Sequence, residues 1–298
     1  MQHITPTTAR PIAPPITPTL AIIGAGKVGR VMAQQFFRHG VFTIQDILNR
    51  SIASSTAACH FIGSGNPIAS ITSMRRADIV MLAVSDDQIH PVSLALQRHD
   101  LLHPNCILFH CSGALCASEL DWHSTAINDH RGGVASLHPV RSFADPSDVA
   151  ASFPGTLCSL EGEAPAVMRL RDALQAIGAE VVLLESAGKT LYHAAAVIAN
   201  NYLVTLMDAA LSTYHAAGIS PEMARRMAEP LARAAIDNVF RLGPELALTG
   251  PIARGDLNTV TQHQQALNAT NPAIAALYQA LATATKLVAA RTGRQPTH

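Results

Sequence analysis

Short aliphatic runs alternate with helical patterns over the first half of the chain, and after Gly188 the alternation stops and only helical periodicity continues. The first pattern is that of a parallel sheet covered by helices. Its strands are expected at Leu20–Ile23, Phe42–Leu48, Ala77–Val84, Cys106–His110, Gly133–Leu137, Leu157–Leu160 and Glu180–Leu184. The run from Ala77 to Val84 is almost uninterrupted by polar residues, as suits a strand buried on both faces. A helix over Arg30–His39 closes on Gly40, and another spans Ala164–Ile177. Beyond Gly188 the spacing predicts one long helix over Thr190–Ala217, a second over Pro221–Leu242, and two more over Thr259–Leu267 and Asn271–Arg291. The expected fold is therefore α/β: a doubly wound Rossmann-type parallel sheet followed by an all-helical C-terminal domain. Residues 1–18, with five prolines, read as a disordered tail, residues 19–186 as the sheet domain, and residues 187–298 as the helical domain.

Leu20-Ala21-Ile22-Ile23-Gly24-Ala25-Gly26-Lys27-Val28-Gly29 places G-x-G-x-x-G between a strand and a helix. Gly24 permits the tight turn, Gly26 lets backbone approach a pyrophosphate, and Gly29 allows close helix packing, with Lys27 and Val28 in the same turn. The second strand ends in Asn49-Arg50-Ser51, without the carboxylate that would bond a ribose hydroxyl and repel a phosphate. Arg50 offers a planar cation to a 2′-phosphate, so NADP(H) is favoured over NAD(H). The competing reading makes Arg50 an ordinary surface residue and gives the acidic role to Asp46. Val84-Ser85-Asp86 and Ser112 end neighbouring strands on the same edge and complete the candidate cofactor set. Ser85 and Gln88 have the spacing of a capping box, which explains much of that segment by local structure.

Candidate chemistry beyond the cofactor gathers at Ser136-Leu137-His138-Pro139 and on the helix after Gly188. Lys189, His193 and Asn200 lie within about 40° of one helical face. A cation and an amide there could offset the charge that develops when a carbonyl or imine is reduced. Asn200 and Asn201 are adjacent amides in an apolar helix, so a polar partner is expected beside them. In Leu248-Thr249-Gly250-Pro251-Ile252-Ala253-Arg254-Gly255-Asp256 the glycines and proline fix the path; Thr249, Arg254 and Asp256 recognise an anionic substrate, or Arg254 and Asp256 form a surface ion pair.

Composition narrows these readings. Lys plus Arg and Asp plus Glu are both 21, which excludes the strongly basic balance of a nucleic-acid binder. Leu191–Met207 is the most apolar stretch, and His193, Asn200 and Asn201 interrupt it, so no membrane span is expected and the protein reads as cytoplasmic. Five cysteines fit a reducing compartment. His103, Cys106, His110 and Cys111 have superficial metal spacing, but successive strand residues point to opposite faces and no metal site is expected.

These motifs, with His110-Cys111-Ser112-Gly113, Tyr192-His193-Ala194-Ala195-Ala196 and Asn200-Asn201-Tyr202, resemble a bacterial two-domain family in which a Rossmann-like NADP-binding domain precedes a helical domain of unknown function. The resemblance covers about residues 19–290. More distantly the chain is similar to ketopantoate reductase, pyrroline-5-carboxylate reductase and the β-hydroxyacid dehydrogenases, with a C-terminal domain like that of 6-phosphogluconate dehydrogenase. The resemblance implies an NADP(H)-dependent oxidoreductase acting on a small carbonyl or imine substrate, with Lys189 and Asn200 as a catalytic pair, and a homodimer formed through the helical domain. A cofactor-binding sensor without turnover is the alternative.

Overall fold

The computed structural model describes residues 17–122 and 132–291, so the proline-rich tail expected at 1–18 lies almost wholly outside the described residues. The chain divides into two compact units, residues 1–197 and 198–298.

The first unit is built on eight strands: β1 (Thr19–Ile23), β2 (Thr43–Leu48), β3 (Asn66–Ile68), β4 (Ile79–Leu82), β5 (Ile107–His110), β6 (Gly133–Pro139), β7 (Leu157–Gly162) and β8 (Glu180–Leu183). Their spatial order is β3-β2-β1-β4-β5-β6-β7-β8. All neighbours are parallel except β6 and β7, which run antiparallel with His138 opposite Ser159. The expectation of a sheet parallel throughout thus needs correction at one pair, where a single short helix at Pro146–Ala151 leads the chain from β6 into β7. The sheet remains dominated by parallel pairs.

Side-chain alternation assigns each buried strand residue to one of two cores. Leu20, Ile22, Ile79, Met81, Ile107 and Phe109 point to one face. There they meet Val31, Met32 and Phe36 of helix α1 (Lys27–Arg38), Ala58 and Ile62 of α2 (Ile52–Ile62), Val149 of α4 (Pro146–Ala151) and Leu170 and Leu174 of α5 (Ala164–Ala176). Ala21, Ile23, Val80, Leu82 and Leu108 point to the other, against Ile89 and Leu96 of α3 (Asp86–Arg98) and Leu120 and Trp122. Burial on both faces is why these strands read as continuous apolar runs. Strand β3, only three residues long with Pro67 inside it, gives no such signal.

Helix α6 (Lys189–Ala199) follows β8. The helix expected to run unbroken to Ala217 stops here: Asn200 has φ −112° and ψ −65°, and α7 (Asn201–Ala216) restarts after it. Asn has a low helix propensity, although the Asn200 side chain makes no capping hydrogen bond of its own. The second unit continues with α8 (Pro221–Leu242), α9 (Pro244–Ala247), α10 (Leu257–Thr270) and α11 (Pro272–Arg291). By length and mean hydropathy, Ser186–Ala216 and Pro272–Arg291 reach the range of membrane-crossing helices, a test that core helices of soluble proteins also pass. The aliphatic residues outweigh the interrupting His and Asn in that average.

Candidate active site

The chain leaves β1 for β2 on one side and reaches β4 on the other, so the carboxyl ends of β1 and β4 form the switch point where open α/β sheets bind ligands. A cavity of ≈ 970 Å³ lies there, lined by Gly24, Ala25 and Gly26 after β1, Asn49 and Arg50 after β2, and Ala83, Val84 and Ser85 after β4. Gly24 has φ +89°, and a Cβ there would stand 2.7 Å from the Ala83 carbonyl. Gly29 has a packing role instead, because its Cβ would press to 2.7 Å from the Gly24 carbonyl oxygen. Gly26 has open space where a Cβ would be, at the N-terminus of α1. Free backbone N–H groups and the helix dipole meet in that space, which is the chemistry a phosphate needs.

Of the candidate cofactor residues, Gly24, Gly26, Asn49, Arg50, Val84 and Ser85 line the cavity. The others have different work. Lys27 extends away to donate to the Ala144 carbonyl at 2.8 Å, Val28 packs on the core, and Ser51 caps α2 through the Ser54 amide. Asp86 opens α3. Ser112 accepts from the amides of Ala114 and Leu115 within its own turn. The capping box needs correction: Ser85 makes no side-chain cap, and Gln88 bonds Asp87 at 2.9 Å.

The rim around Arg50 contains features that the sequence reading missed. Arg30, one turn beyond Gly26, also lines the cavity, with its guanidinium 5.7 Å from the Phe61 ring centroid and its Nε bonded to the Gly26 carbonyl. Ser54 and Ser70 join it. The competing acidic candidate, Asp46, is fully buried elsewhere. It accepts from the Arg75 guanidinium at 2.7 Å, the Arg75 amide at 2.8 Å and Asn66 at 3.0 Å. Burial works against that carboxylate, yet these bonds hold it below the ordinary carboxylate range. Its role is therefore to anchor β2, β3 and the Arg75 segment.

Further along the same edge, β5 and β6 end beside the first turns of α6. Lys189 is 1% exposed, and its ammonium donates to Ser136 Oγ and lies 3.7 Å from Glu161 Oε2. Glu161 also accepts from the Ala117 amide at 2.9 Å and the Ser186 hydroxyl at 2.6 Å. Burial pushes the Lys189 pKa down, with Glu161 opposing the shift. Ser136 in turn donates to the Ser112 carbonyl at 3.1 Å. Lys189 is thus tied inward to β6 and β7. Glu161 carried no sequence signal, because a lone carboxylate at a strand end is ordinary.

His138 sits on the outer side of this knot. Its Nδ1 meets the Tyr192 hydroxyl at 2.9 Å, and its ring packs edge-on against His193 with centroids 5.8 Å apart. Burial first, then the neighbouring His193 and Lys189, push the His138 pKa down to about 4, so the imidazole is neutral at pH 7. His110, buried beneath, is likewise held near 4 by burial.

The remaining candidates belong to the second unit. Asn200 and Asn201 are exposed, and Asn200 stands between α6 and α7. Thr249 and Arg254 are exposed on the turn after α9. Asp256 caps α10, accepting from the Thr259 amide at 3.1 Å and hydroxyl at 2.7 Å. The five cysteines are free.

Residues 5–123 match a Rossmann-like domain, and residues 156–285 match the domain of unknown function DUF2520. The chain therefore pairs a Rossmann-like domain with a DUF2520 domain. No curated protein matches it. Among solved structures it is similar to protein TM1727 of Thermotoga maritima, with 26% identity and a TM-score of 0.68 over 93% of this chain and 100% of that one. It is also similar to BF3122 of Bacteroides fragilis, provisionally described as an NADP oxidoreductase, with 19% identity and a TM-score of 0.73 over 90% and 98% of the two chains. An imine reductase from Myxococcus stipitatus, solved with NADP+, shares 17% identity and a TM-score of 0.63 over 93% and 100%. The last two likenesses establish a common fold.

Proposed function

We propose that this protein is an NAD(P)-dependent oxidoreductase that prefers NADP(H) and moves a hydride between the nicotinamide and a small, anionic carbonyl or imine. The observation that carries the reading is the switch-point cavity with Gly24 and Gly26 at the start of α1. The residues present fit a dinucleotide: Gly26 leaves room for a pyrophosphate, and Arg30 and Arg50 with Ser54 and Ser70 supply cations and hydroxyls for a 2′-phosphate. Bound there, the cofactor would supply or accept a hydride.

This chain's own groups do the rest. Lys189, paired to Glu161, sets the field at the ends of β6 and β7 and fixes the start of α6, while His138 and His193 present ring nitrogens at the sheet edge. The helical unit is proposed to pair with a second copy of itself, because it leaves large apolar side chains such as Phe240 at 88% exposure.

Fluorescence titration with NADPH and NADH tests the cofactor reading. NADPH is expected to bind about tenfold or more tightly, and Arg50→Ala to erase most of that difference at a cost of about 1–2 kcal/mol. Failure of both nucleotides to bind overturns the function; tighter NADH binding overturns the preference alone.

A further inference from the structure

The two arginines that line the switch-point cavity are held in different ways. Arg50, after β2, is exposed, and its guanidinium makes no hydrogen bond or ion pair among the described residues. Arg30 is anchored at two points. Its Nε donates to the Gly26 carbonyl at 3.1 Å, the same carbonyl that accepts the Arg30 amide, and its guanidinium carbon lies 5.7 Å from the centroid of the Phe61 ring. An aromatic face attracts a cation placed over it. Phe61 is itself fixed: it packs against the sheet core, and its carbonyl accepts from the buried side chain of Gln34, one turn beyond Arg30 on α1. These contacts occupy Nε and one face of the guanidinium, and they leave its two terminal nitrogens as donors for an anion.

Position selects which anion. The pyrophosphate site is at Gly26, where the amides at the start of α1 meet. Arg30 lies one turn farther along, on the side of α1 that meets α2, the helix that follows β2. The end of β2 is where a Rossmann-type domain receives the adenosine ribose, so Arg30 and Arg50 line the part of the cavity that a 2′-phosphate would occupy. A free arginine gives up side-chain freedom when it grips a phosphate, and that loss subtracts from affinity. An arginine already held gives up little, and its planar fork matches two phosphate oxygens.

We propose that Phe61 is the positioning residue of the 2′-phosphate site: its ring holds the Arg30 guanidinium in the binding geometry before the cofactor arrives, so that Arg30 discriminates NADP from NAD as a fixed arm and Arg50 as a free one. The inference rests on the oxidoreductase reading and deepens it by dividing phosphate recognition between the two arms. Both grip one group, so neither suffices alone.

Two measurements on the full chain test it. The first needs no cofactor: 15N relaxation of the arginine Nε–H groups is expected to give an order parameter of about 0.85 for Arg30 and below about 0.6 for Arg50. Phe61→Leu should lower the Arg30 value toward that of Arg50, and Phe61→Tyr, which keeps the ring, should not. An Arg30 Nε–H as mobile as that of Arg50, or one indifferent to Phe61→Leu, overturns the inference whether or not a nucleotide binds. In the second measurement NADPH and NADH are titrated by fluorescence. Arg30→Ala is expected to weaken NADPH about tenfold with NADH unchanged. Phe61→Leu should weaken NADPH about threefold, and Phe61→Tyr should restore it. The double variant Arg30→Ala with Phe61→Leu should bind NADPH no worse than Arg30→Ala alone, because Phe61 acts through Arg30. Losses that multiply, or equal weakening of NADH, overturn the inference and leave the oxidoreductase reading standing. Binding of neither nucleotide by the unaltered protein overturns both.

Discussion

The sheet unit and the helical unit solve the burial problem in opposite ways. The first encloses Leu20, Ile22, Val80, Met81, Leu108 and Phe109 between two helical layers, each at 1% exposure or less. Among the described residues of the second, the buried ones are the alanines 224, 275 and 282, while Leu231, Phe240 and Leu287 are 65%, 88% and 69% exposed. Apolar area removed from water is the main favourable term in folding. The first unit gains that term within its own two cores, and the second leaves large apolar side chains at its surface.

The most severe way to test this contrast is to cut the sheet core. Phe109 belongs to the central strand β5 and is fully buried, so Phe109→Ala removes a large side chain where neighbours cannot collapse inward. Chemical denaturation is expected to show a loss of about 3–5 kcal/mol. A loss below about 1 kcal/mol would mean that the sheet core is far looser than its burial implies.

A smaller but more specific break lies in the ion pair. Lys189→Met leaves Glu161 buried without its cation, although the Ala117 amide and Ser186 hydroxyl remain. Stability is expected to fall by about 3 kcal/mol, and Lys189→Met combined with Glu161→Gln to recover most of it, since the cost lies in the orphaned charge. Additive losses in that double-mutant cycle would show that the two residues act separately.

Legibility followed the same division. Doubly buried strands announce themselves as aliphatic runs, and the glycine spacing at 24, 26 and 29 encodes a turn that no other residue tolerates at Gly24. The parallel-dominated sheet and the Gly24, Gly26, Arg50 and Ser85 cavity lining were therefore readable. Glu161 was not singled out, and Ser136 only as part of its strand end, because their pairing with Lys189 depends on β6 and β7 lying side by side, a contact across 25 residues or more. Arg30 was passed over for a different reason: an arginine on an amphipathic helix is common, and only the fold aims it into the cavity. The break at Asn200 was read as continuity, since hydrophobic periodicity is silent about a single residue's backbone angles.

Acid offers a graded test of the sheet unit. His110 and His138 are held neutral near pKa 4, below the ordinary 6.5, and the groups acting on His138 are His193, Lys189 and Asp86. The unfolded chain therefore binds more protons than the native one between those values. Stability is full above pH 6.5 and is lost as pH falls toward 4, by up to about 1.4 kcal/mol per pH unit for each group. Urea midpoints at stepped pH should fall across that window, and His110→Asn should flatten part of the slope. A midpoint constant from pH 7 to 5 would exclude both buried neutral imidazoles.

The gentlest perturbation addresses the helical unit. Phe240 on α8 makes so little contact within the chain that Phe240→Asp should leave the denaturation midpoint of the dilute protein within about 0.5 kcal/mol. If a second copy covers that face, burying the new carboxylate is costly, and sedimentation equilibrium should show the dimer dissociation constant rising about tenfold or more. The two readouts separate the units. A shifted midpoint with unchanged association would place Phe240 in a core of its own chain and remove the contrast between the units. An unchanged midpoint with weakened association would show that the helical unit completes its apolar core only across a symmetric pair.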